Sequence, residues 1–407
     1  MPQYLATIPN NDAGKQAVNH LREFGPWDFG ITYRGSLSDF LRQLSEVPIV
    51  ATQVLEALPY EFHALEVAEG QEKIAIPKIL RWHSDPTGRR QWRGHIEAIE
   101  PNVKFRLSAL GLPFSLGGWH NSYLKTLNIG AAGGGGRADV KVAVLDTGSD
   151  KLHFVTDFYD ITTTSANLHP GAANQVDTDG HGTAMATLIH EVAPGASISM
   201  VRIADSDPEY MHVLAGLAIA VCDCQAEIVN LSFGFVDFGG SCGACGANDV
   251  SRSIALEKML GMLIDLDPSI RIGFRAPIFV AATGNQRSTT GFHYPAAFDY
   301  TIAVGSVTDS GQRSSFSNYG TTHTAFLVAP GGEEVLPQEH VGSGSTGICF
   351  GTSVSTAYIS GILALMRQDG SYSSLSREDL IDALLKMCVM PGGGNANEYG
   401  RGIFHYV

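Results

Sequence analysis

Between residues 141 and 304, short apolar runs alternate with segments of helical period, and no other feature limits the fold as strongly. The first run, Lys141-Val142-Ala143-Val144-Leu145, ends in Asp146-Thr147-Gly148. A nearly unbroken apolar run of this length suits a central strand of a parallel sheet, buried on both faces. Further runs lie at 198–203, 227–231, 278–282 and 301–304, and helical periods fall at 183–192, 210–222 and 250–266. This alternation predicts an α/β fold, a mostly parallel sheet with helices on both faces. Sheets of that kind bind ligands beyond the carboxyl ends of their strands.

The chemistry-bearing residues fall at those ends. Asp146 closes the first run. His181 opens a helix in Asp179-Gly180-His181-Gly182-Thr183, and Asn285 closes Val280-Ala281-Ala282-Thr283-Gly284-Asn285. Ser353 stands in Gly351-Thr352-Ser353, ahead of the apolar segment 357–366. Each alone has a structural reading as a turn residue, a surface histidine or a helix cap. Together they form a set. A serine hydroxyl becomes a useful nucleophile when an imidazole takes its proton. A buried carboxylate holds that imidazole in the right tautomer. An Asn amide and a backbone N–H at a helix start can stabilise an oxyanion.

The order Asp, His, Ser is that of subtilisin, and the local sequences agree. Asp146-Thr147-Gly148, His181-Gly182-Thr183 and Gly351-Thr352-Ser353 resemble the three signature blocks of the subtilisin-like serine peptidases. Val192-Ala193-Pro194-Gly195-Ala196, Asn230-Leu231-Ser232-Phe233-Gly234, Tyr294-Pro295-Ala296, Ser315-Phe316-Ser317-Asn318-Tyr319-Gly320 and Tyr399-Gly400-Arg401-Gly402 also have counterparts there. The resemblance covers about 113–407. It implies a serine endopeptidase with Ser353 as nucleophile, His181 as general base, Asp146 as its orienting acid and Asn285 in the oxyanion hole. It implies a cleft lined by Ser232, Phe233, Gly234, Ala282, Thr283 and Gly284, to which an extended peptide adds as a strand. His293 falls at the base of the first specificity pocket, pointing to a shallow pocket or a preference for acidic side chains; a surface histidine is the alternative. Two departures stand out. The family's Met-Ala-Ser-Pro-His after the serine is Val354-Ser355-Thr356-Ala357-Tyr358, without the helix-start proline, and Ala184 replaces a second histidine. A peptide macrocyclase and a peptide-binding regulatory module are the alternatives to hydrolysis.

Residues 1–107 read as a separate unit, with 108–407 as the peptidase domain. Strands are expected at 3–8, 29–33 and 95–99, helices at 11–24 and 36–44, extended stretches over 49–67 and a helix over 73–82. This pattern resembles a small ferredoxin-like α+β propeptide that covers its own catalytic domain until self-processing, or else a permanent accessory domain. A helix is expected at 119–129 and a glycine loop at 133–136.

Lys and Arg number 27 against 41 Asp and Glu, a formal net charge of −14. That balance disfavours nucleic acid and anionic membrane as partners and leaves a peptide or protein substrate. No membrane span is expected. The start, Met1-Pro2-Gln3-Tyr4-Leu5, carries no basic and apolar leader, so a cytoplasmic location is expected, or a secreted one if the chain is an excerpt. No cofactor and no metal are expected. The pairs Cys222/Cys224 and Cys242/Cys245 should fall at opposite ends of the sheet, and Cys388 reads as a helical core residue.

Overall fold

The computed structural model describes residues 3–26, 30–44, 50–68, 70–71, 74–76, 79, 95–101, 106–107, 110–112, 139–162, 175–206, 208–235, 253–267, 274–320, 323–333, 341–343 and 347–405. At the N-terminus run β1 (Gln3–Pro9), α1 (Asp12–Phe24), β2 (Ile31–Ser36), α2 (Leu37–Leu44), α3 (Val50–Ala57), β3 (Tyr60–Val67) and β4 (Ala98–Pro101). The strands form an antiparallel sheet in the order β2-β3-β1-β4. Local chemistry sets the helix starts. Asn11 Oδ1 accepts from Gly14 N–H at 3.0 Å. Ser36 and Asp39 exchange side-chain-to-backbone hydrogen bonds of 3.1 Å each, a reciprocal capping box.

One segment departs from the sequence reading. Residues 50–57 are helical rather than extended, and Ala51, Val54, Leu55 and Leu58 lie buried at helical spacing. The deciding partner is distant. The Asp223 carboxylate accepts from Val50 N–H (2.8 Å) and Ala51 N–H (2.9 Å), satisfying donors that α3 leaves open at its start.

Then follow β5 (Arg106–Leu107), β6 (Leu110–Leu112), β7 (Lys141–Asp146), β8 (Val155–Asp160), α4 (His181–Val192), β9 (Ser197–Arg202), α5 (Tyr210–Cys222), β10 (Ile228–Leu231), β11 (Phe233–Gly234), α6 (Ile254–Ile264), β12 (Ile278–Ala282), β13 (Thr301–Val307) and β14 (Phe326–Pro330). The chain closes with β15 (Val341–Ser343), β16 (Gly347–Phe350), α7 (Thr352–Gln368), α8 (Arg377–Lys386), β17 (Cys388–Val389), α9 (Ala396–Tyr399) and β18 (Ile403–Phe404). Nine of these strands form the main sheet, in the order β17-β18-β14-β13-β12-β10-β7-β9-β8. Every pairing in it is parallel except β17 with β18.

Side chains alternate across this sheet, as strand geometry requires. On β7, Val142 and Val144 join the core beneath α4, α7 and α8, whereas Ala143 and Leu145 join the core beneath α5 and α6. The second of these cores continues into the N-terminal residues Leu5, Leu37, Leu41, Val54, Leu55 and Phe62. Polar contacts accompany it. Glu100 accepts from Ile254 N–H (2.9 Å) and Ala255 N–H (2.7 Å) at the start of α6, and Lys258 pairs with Glu97 at 3.2 Å. Two short ladders complete the connection: β5 pairs antiparallel with β11, and β6 with β16.

Register decides where the site lies. Leu231 of β10 is level with Leu145 of β7 and with Ala281 of β12. Asp146, Ser232 and Ala282 therefore sit together just beyond or at the carboxyl edge. Among the described residues no helix is long and apolar enough to cross a membrane. Cys222, the last residue of α5, and Cys224 just beyond it are buried and not in a disulfide. Cys388 is in the short strand β17 rather than a helix, because α8 ends at Lys386 and the chain turns to pair with β18. Of the helix expected over 73–82, residues 74–76 are helical. Residues 119–129, 133–136, Cys242 and Cys245 lie outside the described residues.

Replacing Asp223 with Ala leaves two helix-start donors without their acceptor, so we expect a loss of about 1–2 kcal/mol. Denaturant titration reads the loss, and hydrogen exchange should place it in residues 50–57. An unchanged midpoint with unchanged exchange would contradict the capping role.

Candidate active site

Asp146 and His181 meet at the edge of the sheet. The sequence places Asp146 as the last residue of β7 and His181 as the first of α4, and a chain of hydrogen bonds locks the two ends. Asp146 Oδ1 lies 2.7 Å from His181 Nδ1 and accepts the Thr147 N–H at 2.8 Å. Thr147 Oγ1 donates to Asp177 Oδ1 (2.9 Å) and accepts from Gly182 N–H (3.0 Å). Asp177 in turn accepts from Gly180 N–H (2.7 Å), Thr183 N–H (2.8 Å) and Thr183 Oγ1 (2.6 Å), so it both closes the turn before α4 and caps the helix. Contact at this corner is close: a side chain at Gly182 would run into the Gly148 carbonyl.

Asp146 is wholly buried and His181 is 4% exposed. Burial pulls the imidazole pKa down, but the Asp146 charge and hydrogen bond, helped by Asp179 and Asp177, outweigh it. The net result is a pKa above the ordinary histidine value of 6.5. With Nδ1 bound to Asp146, Nε2 is the nitrogen left for chemistry, and it has no hydrogen-bond partner among the described residues.

Ser353 is the second residue of α7. Gly351 turns the chain into that helix with φ +136°, a conformation that side-chain-bearing residues rarely adopt. Gly351 N–H is also held by Gly331 O at 2.8 Å. The helix thus starts at Thr352 without the proline whose absence marks the sequence. The replacement residues are satisfied within the fold: Ser355 Oγ donates to Ala329 O at 2.9 Å and Thr356 Oγ1 to Thr352 O at 2.7 Å. As the second helical residue, Ser353 has an N–H with no intrahelical acceptor. Its hydroxyl donates to Ser232 O at 2.8 Å, not to His181. Helices α4 and α7 nevertheless pack closely, because a Cβ at Gly361 would come within 2.6 Å of Val192 Cβ.

A fully buried polar chain fixes the serine's neighbour. Ser360 Oγ donates to Asn230 Oδ1 (3.0 Å), Asn230 Nδ2 to Ser232 Oγ (2.9 Å), and Ser232 Oγ to Ser353 O (3.2 Å). Asn285 is oriented separately. Its Oδ1 accepts both Thr352 N–H (3.0 Å) and Thr352 Oγ1 (2.9 Å), so its Nδ2 is turned away from Thr352.

The remaining expected residues form two walls. Ser232, Phe233, Gly234, Ala282 and Thr283 are buried, and Gly284 has φ +103°. His293 is 3% exposed, so it is not a surface histidine. Its N–H donates to Thr283 O at 3.0 Å, and the next residue, Tyr294, exchanges backbone hydrogen bonds with Phe235. The ring therefore lies between the walls. A Cβ at Gly234 would sit 2.7 Å from His293 Cβ, and one at Gly284 would sit 2.7 Å from His293 Nδ1.

The sequence reading missed Thr147, Asp177, Asn230 and Thr352 as organisers of the site. Asp177 carried a local signal, an Asx turn in Asp177-Thr178-Asp179-Gly180. The other three act through partners far away in the chain.

The α/β sheet thus holds Asp146 and His181 in contact at its carboxyl edge, and Asn285 against the start of α7. The subtilase (peptidase S8) family description matches residues 137–402, and the chain belongs to that family. Subtilisin NAT of Bacillus subtilis subsp. natto is 28% identical over 282 residues, a match covering 66% of this chain and 65% of that protein. M-protease of Shouchella clausii is 29% identical over 383 residues, covering 92% and 88%. Among solved structures, the epidermin leader peptide processing serine protease of Staphylococcus aureus has the same fold at 17% identity, with a TM-score of 0.67 and coverage of 100% of this chain and 97% of that one. The expected cytoplasmic location is overturned by these relatives, which include an enzyme of Thermus sp. named extracellular serine proteinase. The reason is physical as well: a start without an apolar leader says nothing about where the folded enzyme works.

The Asp146 carboxylate should be what raises the His181 pKa. In folded protein, NMR titration should put His181 above 6.5, and Asp146→Asn should lower it. An equal pKa in the two proteins would exclude the charge as the cause.

Proposed function

We propose that this chain is a serine endopeptidase that cleaves peptide bonds through an acyl-enzyme. One observation carries the reading: the buried 2.7 Å contact between Asp146 and His181 leaves Nε2 unpartnered at the edge where α7 presents Ser353. The Ser353 hydroxyl turns from Ser232 O to His181 Nε2, gives up its proton and attacks the scissile carbonyl. His181 then passes that proton to the leaving amine, and Asp146 stabilises the imidazolium formed in between. Asn285 Nδ2 and the Ser353 N–H receive the oxyanion. Substrate adds as a strand along Ser232-Phe233-Gly234 on one side and Ala282-Thr283-Gly284 on the other. These roles are supported by family membership and by the anchoring of Asn285 on Thr352.

Residues 1–107 are, in this reading, a ferredoxin-like propeptide domain docked on the peptidase domain 108–407. The strand order β2-β3-β1-β4, the shared core and the Asp223 and Glu100 caps favour it. Ser353 has no exposed surface. The chain as a whole is then made as a zymogen.

Ser353→Ala should abolish peptide hydrolysis and leave the circular dichroism spectrum unchanged. Turnover at the wild-type rate would remove the assignment. Thr352→Val deletes a hydroxyl that holds Asn285, so kcat should fall by about 10- to 100-fold with KM little changed, somewhat less than loss of an oxyanion donor itself. A rise in KM alone would point to substrate binding instead. Because a proton on His181 blocks it as a base, kcat/KM should fall as pH drops through the raised His181 pKa, with a midpoint above 6.5.

A further inference from the structure

We propose that Arg202 is a positioning residue for this site: its Nε N–H holds the Thr147 carbonyl, and through that turn it keeps Asp146 aligned on His181. The proposal rests on the endopeptidase reading and adds to it a residue that touches none of the reacting atoms.

The sheet brings Arg202 to the turn. On β9, Arg202 is level with Asp146 of β7 and with Asp160 of β8. It shares a face with Ile198 and Met200, which pack in the core beneath α4. Ile203 N–H donates to Asp146 O at 2.9 Å, and the ladder of β7 with β9 ends at that level. The next carbonyl, that of Thr147, receives a side-chain donor instead, Arg202 Nε at 3.2 Å. The same side chain passes close to the following residue, since a Cβ at Gly148 would come within 3.1 Å of Arg202 Cδ.

Thr147 is where this bond matters. Its N–H donates to Asp146 Oδ1, and its hydroxyl donates to Asp177 Oδ1 and accepts from Gly182 N–H. A shift of Thr147 would therefore move the donor that orients Asp146 and the hydroxyl that orients the start of α4 together. The Arg202 bond holds the one polar group of Thr147 that these contacts leave over.

The guanidinium is anchored at its far end. Nη1 donates to Asp160 Oδ2 (2.7 Å) and to Thr162 Oγ1 (2.9 Å), and Nη2 pairs with Asp205. Arg202 is 5% exposed, so its charge depends on these partners. The anchor uses only the two terminal nitrogens, and the third is directed at the Thr147 turn. A planar guanidinium can serve both ends at once. A lysine ammonium, a point donor at the tip of its chain, cannot.

His181 reports the alignment. Against the pull of burial, Asp146, Asp179 and Asp177 hold its pKa above 6.5, and Thr147 binds two of these three carboxylates. Slack in the turn weakens their hold, so the His181 pKa falls toward 6.5. Loss of the Arg202 charge by itself acts in the opposite direction, because a nearby cation disfavours a proton on the imidazole.

Three variants separate the donor from the charge. Arg202→Gln puts an amide nitrogen where Nε stood and removes the charge. Arg202→Lys keeps the charge and puts carbon at that position. Arg202→Met lacks both. For a peptide substrate we expect kcat to fall about 10- to 100-fold in Arg202→Lys and Arg202→Met with KM little changed, and to stay within about threefold in Arg202→Gln. NMR titration should find the His181 pKa lowered in the first two and kept in the third, and the acid limb of kcat/KM should follow it. Asp205→Asn removes an exposed partner of the anchor without touching Thr147 and should leave kcat unchanged. Wild-type kcat in Arg202→Lys with a loss in Arg202→Gln would overturn the proposal in favour of charge, as would a raised His181 pKa in Arg202→Met. Equal losses in all four variants would overturn it in favour of a merely structural ion cluster. If Arg202→Met does not fold, the contrast between Arg202→Lys and Arg202→Gln decides. Wild-type protein without peptidase activity would bring down the endopeptidase reading, and the titration, which needs no turnover, would still decide whether Arg202 aligns Asp146 and His181.

Discussion

The parallel register of β7, β10 and β12 is the constraint on which the rest depends. Leu145, Leu231 and Ala281 are level across three adjacent strands. Asp146 and Ser232, which follow directly, and Asn285, three residues past the end of β12, are thereby delivered to one edge. A shift of one residue in any strand would turn its core side chains to the opposite face. Here both faces are filled, one by α4, α7 and α8 and the other by α5 and α6. Neither can accept the exchange. Hydrophobic packing thus fixes the position of polar groups that contribute little to it.

Around that edge, order comes from buried hydroxyls together with the Asp177 carboxylate. Thr147 links the Asp146 turn to the start of α4, Thr352 links Asn285 to the start of α7, and Ser232 is tied through Asn230 to Ser360. Each hydroxyl donates to one partner and accepts from or faces another, which is what a buried polar group needs to avoid a desolvation cost of about 1–3 kcal/mol. The pair Asp146 with His181 sits within this scaffold. The Ser353 hydroxyl rests on Ser232 O. A catalytic cycle of the kind proposed asks only for rotation about its Cα–Cβ bond, while the backbone stays in place.

The N-terminal residues share these principles. Their helices and sheet form by local capping, but their contact with the rest of the chain rests on carboxylates reaching across: Asp223 to α3 and Glu100 to α6. Burial pushes the Glu100 carboxyl up to about 7, against the pull of the Ala255, Ser253 and Ile254 hydrogen bonds. An apolar core continuous between β7, α5 and α2 backs these contacts.

The sequence alone determined the class of fold, because apolar runs and helical periods in alternation leave few other solutions. It also pointed to Asp146, His181, Asn285 and Ser353, because strand ends and helix starts are readable from turn residues and caps. The edge strand β8 and the inner strand β14 escaped it. Val155–Asp160 carries acids among its apolar residues, and Phe326–Pro330 is a short run ended by proline. Residues 50–57 were misread as extended since their cap, Asp223, is more than 170 positions away. Only tertiary structure decided that His293 is buried between Gly234 and Gly284, that the Ser353 hydroxyl donates to Ser232 O, and that 106–107 pairs with β11 and 110–112 with β16. The physical reason is the same in each case. Patterning and caps are local in sequence, whereas closure of a pocket and satisfaction of a buried hydroxyl are made by residues that meet only when the sheet has formed.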